Sequence, residues 1–76
     1  MEPAAMTTEE IIRYLRDQLG HCRRHADRRW RVIKNHVESR DAAVIAAHLA
    51  SVIEYEAEAR RIEEILERIG APLEAP

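Results

Sequence analysis

The stretch Glu38-Ser39-Arg40-Asp41 divides this chain. Apolar residues recur at helical spacing on both sides of it, but the two frames do not join. Before it, Ile12, Leu15, Leu19, Cys22, Ala26, Ile33 and Val37 step by threes and fours, apart from one gap, which is a helical stripe and not a strand alternation. After it, Ile45, Val52, Ala59 and Leu66 recur every seven residues, with Ile62 and Ile69 beside them. Counting sevens from Ile12 passes Leu19, Ala26 and Ile33 and arrives at Arg40, whereas the second frame starts five residues later, at Ile45. That start falls two residues short of the next step of seven, a shift that matches neither the three- nor the four-residue insertion that a continuous coiled coil absorbs. The segment therefore reads as a tight loop, with Ser39 or Asp41 capping the second helix. The expected architecture is all-α: an antiparallel hairpin with helices over 8–37 and 41–69. The competing arrangement is one continuous helix, since neither Gly nor Pro marks the break.

Outward from the break, each helix has a terminus signal. Thr7 and Glu10 fit the S/T-x-x-E capping box, Met6 and Ile11 have the spacing of a hydrophobic staple, and Glu9 and Glu10 suit the positive end of the helix dipole. Gly70 followed by Pro72 is a stop signal. Residues 1–6 read as a disordered leader and 71–76 as a flexible tail, leaving 7–70 as the helical hairpin.

Folding at Ser39 sets Ile12 against Leu66, Leu15 against Ile62, Leu19 against Ala59, Cys22 against Tyr55, Ala26 against Val52 and Ile33 against Ile45. One layer departs from this pattern: Arg29 falls opposite His48. Either the pair forms a polar layer that fixes register, or Arg29 snorkels outward while Trp30 covers the gap; the second is the favoured reading.

With 76 residues and one Cys, the chain holds one small domain and no internal disulfide. No apolar run of membrane-spanning length or secretory signal pattern occurs, so the expectation is a cytoplasmic protein with no membrane contact. The net charge of −2 hides a strong asymmetry. Residues 11–40 carry nine basic and three acidic side chains, net +6, and residues 41–76 carry three basic and eight acidic, net −5. Two helices of opposite sign favour antiparallel pairing. Chains this short usually need a staple or a partner, and a hairpin solves the problem by dimerising into a four-helix bundle. The expected self-association residues are Leu15, Leu19, Ala26, Ile33, Ile45, Val52, Ile62 and Leu66, with Trp30 as an anchor. The functional expectation is a non-enzymatic coiled-coil-like interaction module: an adaptor, regulator or assembly subunit that binds itself and, in some settings, another helical protein.

Two other readings have named residues. His21 and His25, spaced i, i+4, share a helix face, and Glu54 and Glu58 lie across the hairpin; two imidazoles with carboxylates suit iron or zinc. The stretch Ile53-Glu54-Tyr55-Glu56-Ala57-Glu58-Ala59-Arg60-Arg61-Ile62 resembles the metal-binding helix of ferritin-like and rubrerythrin-like proteins. The resemblance implies a half-bundle completing a metal site by oligomerising, although Tyr55 and Glu58 stand where that motif has its Glu and His. Arg24, Arg28 and Arg31 share one face and could contact phosphate. The acidic balance of the whole chain and its three aromatic residues outside histidine weigh against nucleic acid. Cys22 lies on the apolar stripe and reads as a core residue, and no metal or other cofactor is needed for the main reading.

Overall fold

In a computed structural model that describes residues 5–38 and 40–74, the chain forms two helices, α1 (Thr8–Val37) and α2 (Ala42–Arg68), packed against each other as a hairpin. The alternative of one continuous helix is thereby set aside. Thr7 caps α1 as its sequence dictates. The Glu10 N–H donates to Thr7 Oγ1 at 3.1 Å, and the Glu10 carboxylate accepts from the Thr7 N–H at 3.4 Å. We predict that Thr7→Ala lowers unfolding free energy by about 1 kcal/mol, measured as a shift in the urea midpoint at unchanged slope.

The chain reverses between Glu38 and Asp41. Arg40 adopts a left-handed conformation (φ 57°), and its N–H donates to Val37 O at 3.3 Å. Asp41 caps α2 by accepting the Val44 N–H at 3.2 Å. Ser39, the other expected cap, lies outside the described residues. So do residues 1–4 of the expected leader and the last two of the tail; Ala5 and Met6 are exposed and not helical. At the far end Gly70 takes φ +73°, which an L side chain adopts only with strain. That turn lets the Gly70 N–H reach Glu67 O at 3.0 Å and the Ala71 N–H reach Leu66 O at 2.9 Å, a Schellman closure. The tail then lies back on α1, where Arg16 Nε donates to Pro72 O at 3.0 Å.

The buried cluster is Leu19, Cys22, Ala59, Ile62 and Leu66, with Ile12, Leu15, Tyr55, Ala71 and Leu73 packed around it. Ala26, Ile33 and Val52 continue the buried line towards the loop, while Ile45 is only half-buried. The molecule is a rod of 55 × 31 × 17 Å with a radius of gyration of 16.5 Å, against about 11 Å for a compact globule of this length. It exposes 6197 Å² of surface, whereas a compact monomer of this mass exposes about 4,800 Å².

Candidate interaction surface

The two edges where α1 meets α2 differ in chemistry. One is closed by polar bridges: Arg23 Nη2 to Glu63 Oε1 at 2.9 Å, and the Trp30 indole N–H donating to Glu56 Oε1 at 2.8 Å. Trp30, expected as an anchor, sits at this edge with 39% of its surface exposed.

The other edge is aromatic. The His25 ring stacks on Tyr55 at 5.1 Å between centroids and 21° between planes, and His21 leans on His25 at 4.2 Å and on the edge of Tyr55 at 6.4 Å. Partial burial holds the His25 pKa below its ordinary value, and His21, Arg28, Arg29 and Arg24 add repulsion against a second proton. Cys22, just inside, is buried, and burial together with the Glu58 carboxylate pushes its thiol up, away from the thiolate a nucleophile needs.

Heptad steps extend the aromatic edge. From His25, steps back along α1 reach Gln18 and Ile11, and from His21 they reach Tyr14. On α2, Ile62 and Ile69 follow Tyr55, and Ile65 follows Glu58. Ile11, Tyr14 and Ile65 thus lie on this flank at the end away from the loop, each with at least 40% of its surface exposed, while Ile69, also exposed, lines a cavity with Ile12, Arg13 and Arg16 on the bridged flank. The sequence holds the signal for this patch, a second stripe at Ile11, Gln18, His25 and Val32 beside the main one, but the longer apolar stripe overshadows it.

The expected self-association residues divide differently from expectation. Leu19, Ala26, Ile33, Val52, Ile62 and Leu66 are buried between the helices of a single chain, and Leu15 is partly buried with them. The hairpin consumes one stripe from each helix in its own packing, and the exposed apolar residues flank those stripes.

Of the metal candidates, His21 and His25 are brought together, whereas Glu54 and Glu58 are exposed on α2 and Glu58 pairs with Arg61 at 3.4 Å. Among the described residues no three His, Cys, Asp or Glu side chains are grouped to hold an ion. Arg24, Arg28 and Arg31 do converge, around a shallow cleft of about 200 Å³ that they share with Asp27. The Asp27 carboxylate among them offsets part of the positive field a phosphate would meet.

Arg29 meets His48, with Nη1 at 3.4 Å from His48 Nδ1. The favoured expectation of an outward snorkel gives way to the polar layer, because Arg29 Nε is buried, with no hydrogen-bond partner among the described residues. A guanidinium only donates, so this contact is a hydrogen bond when Nδ1 is the unprotonated ring nitrogen.

Comparison with protein-family models, curated proteins and solved structures finds no match to this chain. Among the described residues no helix is long and apolar enough to cross a membrane.

Proposed function

We propose that this chain is a self-associating helical interaction module, a hairpin that pairs with a second copy into a four-helix bundle and serves as an adaptor, regulator or assembly subunit with no chemistry of its own. The observation that carries the reading is the apolar surface left open beside a small core. The chain exposes about 1,400 Å² more than a compact monomer of its mass, and large aliphatic and aromatic side chains lie within that surface. Two chains each covering that excess would form an interface in the obligate size class, above about 2,000 Å² in total. A single reduced thiol buried in the core suits a cytoplasmic setting.

Light scattering coupled to gel filtration tests the proposal. The expected result is a helical species of about twice 8.8 kDa that persists at micromolar concentration, as the obligate interface class implies. A folded monomer at tens of micromolar overturns it. The same run in chelator separates this reading from a metal-completed bundle. Two imidazoles supply only half of a tetrahedral shell, so a bundle held by apolar contact keeps its mass in chelator, whereas one assembled around an ion loses it.

A further inference from the structure

Resting on that self-association reading, we propose that the second copy docks on the aromatic edge, with both loops at the same end of the bundle, so that α1 of each chain lies against α2 of the other. Three observations point to this geometry.

The first is which edge is open. The Arg23–Glu63 and Trp30–Glu56 bridges satisfy polar groups across one edge. The opposite edge carries His21, His25 and Tyr55 in ring contact and then, one or two heptads on, the exposed Ile11, Tyr14 and Ile65. Burying that patch removes apolar surface from water without breaking an ion pair.

The second is where the patch sits. Its three residues occupy the end away from the loop and are exposed, while the loop half of the same edge presents only the half-buried Val32, His36 and Ser51. A two-fold axis along the rod lays patch on patch. An axis across the rod lays the patch of each chain on the more polar half of the other and leaves large side chains facing polar groups. An isologous contact must be self-complementary, and only the first axis makes it so.

The third is charge. α1 carries eight basic and four acidic side chains, net +4, and α2 carries three basic and six acidic, net −3. With loops at the same end, each α1 neighbours an α2 on both sides, so helices of opposite net charge adjoin. With loops at opposite ends, α1 lies on α1 and like charges adjoin, a penalty that selects against that arrangement. Arg24 and Arg28, which flank His25 on α1, and Glu54, which precedes Tyr55 on α2, make no ion pair among the described residues. In the same-end bundle Arg24 and Arg28 come level with the partner's Glu54.

The orientation is read by distance. A spin label at Glu38→Cys, in a Cys22→Ala background whose dimer mass is first confirmed, reports the separation of the two loops. The expected distance is under about 30 Å, two neighbouring helices plus label linkers. A separation near or above 45 Å, the length of a 30-residue helix, overturns the orientation while leaving the dimer intact. The docking face is read by substitution. Tyr14→Asp and Ile65→Asp should each weaken dimerisation by at least about 30-fold, the scale of a central interface residue, with helicity checked by circular dichroism. Ile53→Asp, at the most exposed large aliphatic side chain (64%), should leave it unchanged. Loss of the dimer with Ile53→Asp but not with Ile65→Asp overturns the face. A wild-type monomer overturns both this inference and the self-association reading beneath it.

Discussion

Replacing Leu66 with alanine is expected to lower the melting temperature by at least about 10 °C. Leu66 has 0% of its surface exposed and belongs to the cluster with Leu19, Cys22, Ala59 and Ile62. Removing its isobutyl group forfeits the transfer free energy of the buried atoms and leaves a cavity lined by side chains that the helix backbones hold in place. Leucine-to-alanine changes at such sites cost about 3–5 kcal/mol. A chain of this length has about 4–11 kcal/mol of stability in total, so one side chain accounts for a large share. Leu66 also supplies the carbonyl that accepts the Ala71 N–H. A shifted backbone there loosens the Schellman closure and the tail beyond it. Circular dichroism melts at several protein concentrations check the prediction, and a change of less than about 1 kcal/mol, the range of an ordinary surface substitution, would contradict it. Because association stabilises only the folded chain, the wild-type melting temperature should itself rise with concentration.

The second large effect has the opposite sign. Changing Arg29 to Met together with His48 to Leu should stabilise the hairpin by about 1–3 kcal/mol. Arg29 Nε is buried with no partner among the described residues, and an orphaned buried donor of this kind costs about 1–3 kcal/mol. Its Nη1 contact to His48, at 3.4 Å, is too long to compensate fully. Met keeps the length of the Arg stem and Leu fills the volume of the imidazole, so apolar contact replaces an incompletely satisfied polar one. Urea titration of the double variant beside wild type is the measurement. A lower midpoint for the double variant would show that the polar layer contributes net stability. The accompanying expectation concerns uniqueness: with the polar layer gone, register along the rod rests on apolar layers alone.

The sequence made the fold legible where its signals are local. Thr7 and Glu10 specify one helix start, Gly70 specifies a stop, and the mismatch of heptad frames at Arg40 and Ile45 places the turn. Those cues depend on a few neighbouring residues and survive in any tertiary context. The buried line from Leu19 to Leu66 followed from periodicity for the same reason. Two features were less legible, for different causes. The outcome for Arg29 depends on how closely the helices approach at that level, which spacing does not encode. The aromatic contact was only half legible: spacing set His21 and His25 on one face, but it placed Tyr55 opposite Cys22 and left the histidines facing Glu54 and Glu58. Only rotation of the helices about their own axes brings the rings to one edge. The same rotation decides which flank is bridged by Arg23–Glu63 and Trp30–Glu56 and which is left unbridged.

The position of the buried cluster has a bearing on how the chain reaches its folded state. A hairpin would form most readily by zipping from its turn, where the first contacts close the smallest loops. In this chain the turn region has Arg40 in a left-handed conformation and the Arg29–His48 layer nearby, and the tightest packing joins Leu19 and Cys22 to Ala59, Ile62 and Leu66. The contacts that form first bury Ile33, Val52 and Ala26, and the larger cluster joins only after some forty residues have been brought round. The rate-limiting step should therefore come late, with both helices already extended. Amide protons in the loop half should exchange through openings that leave the distant half closed.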